Sequence, residues 1–386
     1  ATIADFTGNG KADILLGNGG GDFFKKAPPL TESYFAASND SLIAKAFPEK
    51  YQNTGVVKPC DYDKDGDLDL FVGGYSKTAQ FGTFVPSFLY ENQSGIFSEV
   101  EDFPSIEGMV TDAVWSDVDN DGWADLIVVG EWMNPHIFKN NKGALSEPIQ
   151  IQATGLWQTV FPFDIDLDGD LDYLLGNWGT NNKFKASPEK PLHLYFHDFD
   201  GNGQTETITA VAKNGTYYTV EGLDGLAGQI ESIRKKYTSY TAFAGKPLSE
   251  LFEPEVLDKS TLLEVNTLES GFLRNEGGRF TFVPFPQTLQ VAPIMAFTRF
   301  DFDGDTKEEV LIGGNYFGVK PYHGRFDAFS GALLKDENTL ILGNRLGLDF
   351  TKKSLRHLAT ITINKSNYLL AVFNNQPIEV YQILKK

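Results

Sequence analysis

Cysteine is all but absent from this sequence: Cys60 is the only one in 386 residues. No disulfide can form within the chain, so its stability has to come from packing or bound metal. Cys60 stands on an apolar strand just ahead of an aspartate, the setting of a buried, inert thiol rather than a reactive one. Histidine is sparse as well. The five, His136, His193, His197, His323 and His357, are scattered, and no zinc spacing, nucleophile elbow or phosphate-binding glycine loop accompanies them. Catalysis is therefore the less favoured reading. No run of roughly 18 apolar residues occurs, which leaves out a membrane-spanning helix. Basic residues are few: 33 Lys and Arg stand against 52 Asp and Glu, a formal charge of -19. That balance argues against nucleic acid and anionic membrane surfaces as partners, since both are polyanions. The chain opens at Ala1 inside a repeat, with neither an initiator Met nor a signal sequence, and is read as a mature or trimmed segment of a longer precursor.

What the chain has in abundance is aspartate in a fixed pattern. Asp164-Ile165-Asp166-Leu167-Asp168-Gly169-Asp170-Leu171-Asp172 puts five carboxylates in nine residues. Their repulsion has to be offset by a cation or by very full solvation. Asp164, Asp166 and Asp168 stand at positions 1, 3 and 5, and Gly169 turns the chain at position 6, the opening of a calcium loop. The closing carboxylate, Asp172, comes at position 9 rather than at the twelfth place of an EF-hand. The strand Tyr173-Leu174-Leu175-Gly176 then follows where an EF-hand has a helix. The stretch reads as a calcium loop inside a β-hairpin.

Five further copies occur. Asp5, Thr7, Asn9, Lys11 and Asp13 form a weakened one, with two carboxylates replaced. Asp61, Asp63, Asp65, Asp67 and Asp69 form a full copy, as do Asp117, Asp119, Asp121, Trp123 and Asp125. Asp198, Asp200, Asn202, Gln204 and Glu206 close with a longer acid. Asp301, Asp303, Asp305, Lys307 and Glu309 carry Thr306 where glycine is expected, which predicts strain at a φ > 0 position and a weaker site. In each loop, positions 1, 3, 5 and 9 would supply side-chain oxygens and position 7, including Asp170, a backbone carbonyl. The alternative is a set of solvated acidic turns. The expected cofactor is several structural Ca²⁺ ions, and six of them would bring the charge of -19 to about -7.

The loops begin at residues 5, 61, 117, 164, 198 and 301. Such periods, with strands between loops, predict an all-β propeller of four-stranded blades. Each unit reads as a strand, the loop, a second strand ending in glycine, and two more strands. The 34-residue step from 164 to 198 is too short for a blade, so the Asp198 loop is placed within the fourth. Leu226, Ile230, Ile233, Tyr237 and Tyr240 then recur at helical spacing, and Pro247 suits the first turn of a second helix carrying Leu248, Leu251 and Phe252. These make residues 222–260 a small helical insertion, in the fifth blade, of one domain spanning 1–386. Its Arg234-Lys235-Lys236 is a solvated helix face or a docking patch. The fifth blade continues with Leu262–Val265, Gly271–Asn275 and Arg279–Val283. A sixth blade surrounds Asp301. The seventh has Asn364-Lys365-Ser366-Asn367 in place of an acidic loop and only three strands, which predicts closure by a strand from elsewhere.

With these motifs in view, Leu70-Phe71-Val72-Gly73-Gly74 and Leu311-Ile312-Gly313-Gly314 after D-x-D-x-D-G-x-x-D loops resemble the FG-GAP repeats of integrin α-subunit propellers and the VCBS repeats of bacterial surface proteins. Asn266-Thr267-Leu268-Glu269-Ser270 and Gly314-Asn315-Tyr316-Phe317-Gly318-Val319-Lys320-Pro321 resemble segments of bacterial proteins related to the cartilage acidic protein (ASPIC/UnbV) group. The resemblance implies a seven-bladed, calcium-stabilised β-propeller, exported to the cell surface, the outer membrane or the periplasm. It implies no single ligand.

Two residues after the second-strand glycines come aromatics: Tyr75, Trp132, Trp178 and Tyr316. If the loops carry metal at one end of the strands, these emerge at the other, near Asn177, Asn181, Asn182, Asn315, Lys320, His323 and Arg325. Such a set could bind a glycan or a protein by stacking and hydrogen bonding, or the rings could simply pack between blades. The function read from the sequence is a binding, adhesion or surface-assembly module. A polysaccharide lyase or hydrolase, with His323, Arg325 and Asp327, is the enzyme alternative.

Overall fold

The computed structural model describes residues 1–19, 30–38, 41–320 and 323–384. Pro321, quoted in a motif above, lies outside them. The fold is all-β and divides into two compact units, residues 1–155 with 184–267 and residues 156–183 with 268–386.

In the first unit, β1 (Thr2–Ala4), β2 (Asp13–Leu16), β3 (Ser33–Ser38) and β4 (Ser41–Lys45) pair antiparallel in chain order. The second sheet holds β5 (Thr54–Cys60) and β6 (Asp69–Gly74), then β9 (Phe88–Gln93) and β10 (Ile96–Glu99). Between β6 and β9 the chain makes an excursion, a two-stranded ribbon of β7 (Ser76–Lys77) and β8 (Gln80–Phe84) that the sequence reading does not anticipate. The third sheet runs β11 (Met109–Ser116), β12 (Asp125–Met133), β13 (His136–Phe138) and β14 (Ile149–Gln150). β6 and β12 are buried along their whole length, which is why they read as continuous apolar runs rather than alternating ones. Phe71, Leu89, Val110, Ala113, Leu126, Val128 and Phe138 form one core shared by the second and third sheets. Each large side chain so buried contributes roughly 1.5–3 kcal/mol. The two sheets approach so closely that a Cβ on Gly55 would lie 2.0 Å from the Val110 carbonyl oxygen, a contact only glycine permits.

A two-residue strand, β15 (Gly155–Leu156), spans the point where the chain passes into the second unit. There β16 (Thr159–Phe163) and β17 (Asp172–Gly176) flank the Asp164 loop. The chain then leaves for the first unit and builds β18 (Leu192–His197), β19 (Glu206–Lys213), β20 (Thr216–Thr219) and, after a helical stretch, β21 (Thr261–Val265), in the sheet order β20-β19-β18-β21. It returns with β22 (Gly271–Asn275), which pairs with β17, and β23 (Phe280–Pro284), which pairs with β22 and completes the Asp164 sheet. This corrects the expected partition: the Asp198 loop belongs to a sheet of its own, and Leu262–Val265 pairs with β18 rather than with Gly271–Asn275. Period-2 patterning finds strands but does not say which edges meet. The remaining sheets are β24 (Ile294–Phe300), β25 (Glu309–Gly314), β26 (Ala332–Asp336) and β27 (Thr339–Leu342), and a three-stranded one of β28 (Leu355–Ile363), β29 (Ser366–Phe373) and β30 (Glu379–Ile383).

The helical stretch is broken into α1 (Leu223–Ala227), α2 (Glu231–Lys236), α3 (Tyr240–Phe243), α4 (Leu248–Leu251) and α5 (Pro254–Lys259). Leu226, Ile230, Ile233 and Tyr237 do pack together against Ile208 and Ala210 of β19. The expected continuous face ends there: Ile230 and Tyr237 are extended residues between helices, and Tyr240 is 65% exposed. Arg234 pairs with Asp224 and Lys235 with Glu231, and Lys236 donates to the Glu250 carbonyl, so the basic cluster is a solvated face tied to its own helices. Among the described residues, no helix is long and apolar enough to cross a membrane.

Candidate functional site

All six acidic loops fold alike. Position 4 is left-handed in each (Gly8, Lys64, Asn120, Leu167, Gly201, Gly304), and so is position 6 (Gly10, Gly66, Gly122, Gly169, Gly203, Thr306). Thr306 adopts φ 77, the positive angle predicted from its place in the loop. The double turn folds position 1 back over the loop. The Asp117 carboxylate, for example, accepts from the N–H groups of Asp121 at 3.0 Å and Gly122 at 2.7 Å.

The closing acid is the anchor. Asp13, Asp69, Asp125, Asp172, Glu206 and Glu309 are buried, and each accepts the N–H of its loop's second residue: Phe6, Tyr62, Val118, Ile165, Phe199 or Phe302. In four loops the other oxygen accepts from the third strand or the residues just after it, from Ala37, Asn92, Asn140 and Asn275. A closing carboxylate therefore fastens three segments at once.

Five loops bring positions 1, 3 and 9 together with ligand atoms within 4.8 Å of one another: Asp61, Asp63 and Asp69; Asp117, Asp119 and Asp125; Asp164, Asp166 and Asp172; Asp198, Asp200 and Glu206; and Asp301, Asp303 and Glu309. Asp61 Oδ1, Asp119 Oδ1, Asp164 Oδ1 and Asp166 Oδ1 are buried without a hydrogen-bond partner. Burial first, and then neighbouring carboxylates, push Asp69 up to about 7 and Asp172 up to about 6 even though backbone donors pull the other way. Orphaned anionic oxygens gathered around a buried acid fit a hard divalent cation, which would offset the charge and complete the oxygen coordination.

Positions 5 and 7 lie outside these triads. Asn9, Asp65, Asp121, Asp168, Asn202 and Asp305 each accept, through Oδ1, the N–H two residues on, at Lys11, Asp67, Trp123, Asp170, Gln204 and Lys307. The first loop has no triad of acids: Thr7 stands at position 3 and its hydroxyl donates to Asp5. Cys60, beside the second loop, is half-buried rather than buried. Burial, Asp61 and Asp69 push its thiol up to about 12, which keeps it unreactive.

Strands β17 and β25 run from their acidic loops to the aromatic positions, so within the second unit the two features stand at opposite strand ends. There Trp178 meets Tyr316 at 5.8 Å and Phe326 at 5.6 Å between ring centroids. Arg356 lies 4.9 Å over the Tyr316 ring, and Arg325 lies 4.0 Å over Phe317. The His323 imidazole is lowered by burial and by Lys183 and Lys320, so basic groups converge here in an acidic protein. Asn177 and Asn315 are not available to a ligand. Both are fully buried, and their side chains bind backbone, Asn315 holding the carbonyls of Phe329 and Phe350 at 2.8 Å each. In the first unit the Tyr75 hydroxyl donates to Glu131 at 2.7 Å, and Trp132 is 7% exposed at φ 60.

The sequence reading missed the asparagines at or just beyond the end of the third strand. Asn92 donates through Nδ2 to the carbonyls of Phe6 and Leu68, and Asn140 to those of Tyr62 and Ala124. Each thus ties its own loop to the loop of the preceding sheet. Their signal is an asparagine followed three residues later by glycine, whose N–H the Asn Oδ1 accepts: Gly95, Gly143 and, after Asn275, Gly278.

A profile of the FG-GAP-like repeat matches residues 61–128 and 117–175. No curated protein matches the chain by sequence. Among solved structures, BBS1N in complex with ARL6DN is similar over 99% of this chain and 91% of its own, at 9% identity and a TM-score of 0.39. The biofilm matrix protein Bap1 of V. cholerae is similar over 93% and 76%, at 10% identity and 0.35. A protein of Agrocybe aegerita that recognises non-reducing terminal N-acetylglucosamine is similar over 99% and 79%, at 14% identity and 0.40. Likeness this remote transfers no residue roles. Residues 61–175, with three of the five acid triads, are FG-GAP-like repeats, and the protein built around them is all-β.

Proposed function

We propose that this chain is a calcium-stabilised β-propeller of an exported protein, its sheets serving as seven blades of one domain over 1–386 with 222–260 inserted, and that it works as a recognition module. The observation that carries the calcium reading is the repetition of one loop geometry with a buried closing acid and orphaned carboxylate oxygens. Extracellular calcium modules bind at roughly 10⁻⁴ to 10⁻³ M, which suits a structural role outside the cell. The ligand end is the cluster of Trp178, Tyr316, His323, Arg325 and Arg356, where stacking faces sit beside cationic donors. Aromatic rings beside cationic hydrogen-bond donors suit a sugar, and a protein surface is the second ligand class.

A glycan array probed in calcium and in EDTA tests this, with Trp178→Ala and Tyr316→Ala alongside the parent. The expected result is calcium-dependent binding to one glycan class, weakened by at least about tenfold in either variant. Undiminished binding by both variants would remove the site. Chain cleavage of a polysaccharide by the purified protein would instead make it a lyase or hydrolase.

A further inference from the structure

In four of the six loops one register recurs, and it sets a charged residue opposite the closing acid. Leu70 pairs with Tyr90, Leu126 with Phe138, Tyr173 with Leu273 and Val310 with Leu334. One step along, Glu91, Lys139, Arg274 and Lys335 therefore stand across from Asp69, Asp125, Asp172 and Glu309. Three of the four are cations, and each is already paired with the position-3 carboxylate of its loop: Lys139 Nζ with Asp119 Oδ2, Arg274 Nε with Asp166 Oδ2 at 3.2 Å, and Lys335 Nζ with Asp303 Oδ2. Glu91 is the exception. It brings a further carboxylate, which accepts the Tyr62 hydroxyl at 3.4 Å, to a loop where Asp61 Oδ1 is buried and unpartnered.

We propose that this single position decides how tightly each of these four loops holds a divalent cation: Lys139, Arg274 and Lys335 are built-in counter-ions that weaken their loops for metal, and Glu91 makes loop 61–69 the tightest of the four. The inference rests on the calcium reading above and adds to it an order among the loops. A side-chain cation paired with the position-3 carboxylate already offsets the charge that would attract a metal, and it repels the metal once it is bound. A fourth carboxylate acts in the opposite sense, because calcium affinity rises with the charge of its ligand set. The ion pairs are half-buried, where charges are less screened than at an open surface.

Calcium titration of the full chain by calorimetry, with bound ions counted by native mass spectrometry, tests this on the parent, Glu91→Lys, Glu91→Gln, Lys139→Gln and Lys335→Gln. Melting curves in EDTA establish that each variant is folded. The expected parent has one site, loop 61–69, tighter than the three that carry a cation. Glu91→Lys loses it by more than about tenfold, Glu91→Gln weakens it less, and each Lys→Gln change tightens one weaker site by about tenfold. A tight site that survives in Glu91→Lys, or Lys139→Gln and Lys335→Gln affinities within about twofold of the parent, overturns the proposal while calcium binding itself stands. No calcium bound by the parent overturns both.

Discussion

Asn140 carries no charge and is 1% exposed, yet its side chain holds two neighbouring loops in register. Its Nδ2 donates to the Tyr62 carbonyl at 2.7 Å and to the Ala124 carbonyl at 3.0 Å, and its Oδ1 accepts from Gly143 at 2.8 Å. Truncation to alanine removes the partner of the buried Tyr62 carbonyl and of the part-buried Ala124 carbonyl and Gly143 N–H, each costing roughly 1 kcal/mol or more if nothing replaces the bond. Asn140→Ala is expected to lose about 3 kcal/mol, a fall of roughly 5 °C in the midpoint of a thermal melt in calcium buffer. A midpoint within about 1 °C of the parent would mean that water takes over these bonds and that the asparagine is no staple. The Asn-x-x-Gly spacing is visible in the sequence but does not by itself single out a role. An asparagine near a glycine marks countless turns, and only the partner loop, 78 residues away, gives this one its role.

At the scale of the element, the acidic loop is the unit that sequence describes best, since its positions 1, 3, 5, 6 and 9 are all local. The six loops share one backbone, and the loop that departs from the pattern does so where expected, with Thr306 at φ 77. A β-branched residue held there costs on the order of 1–3 kcal/mol, whereas glycine is at ease. Replacing Thr306 by glycine gives back part of this as added freedom of the unfolded chain, about 0.4–1 kcal/mol, and still leaves a net gain of about 1 kcal/mol. Thr306→Gly should therefore raise the melting midpoint; a lower midpoint would show that the Thr306 side chain contributes contacts outweighing its strain. What was not legible at this scale is pairing. Strand β17 ends at Gly176, and its next neighbour, β22, begins at Gly271, with a whole sheet and five helices between them. The 34-residue step between the Asp164 and Asp198 loops was the available hint. It was resolved wrongly because an inserted sheet and an extra strand pair look the same to a local pattern.

For the whole molecule the balance is electrostatic. A chain with a formal charge of -19 gathers its acids into triads around buried closing carboxylates, an arrangement that destabilises the fold unless cations are supplied. A ligand that binds only the folded state stabilises it by about 2.7 kcal/mol per site at a hundredfold excess over Kd. Several loops filled together should therefore dominate the stability of the fold, and this is the central claim. The direct measurement is the thermal unfolding of the intact chain in 10⁻² M calcium (roughly ten to a hundred times the expected Kd) and in EDTA, with magnesium as the control for ionic strength. A midpoint at least roughly 5 °C higher in calcium than in magnesium or EDTA, recovered when calcium is restored to the chelated sample, is the predicted result. Superimposable melts in all three conditions would contradict it.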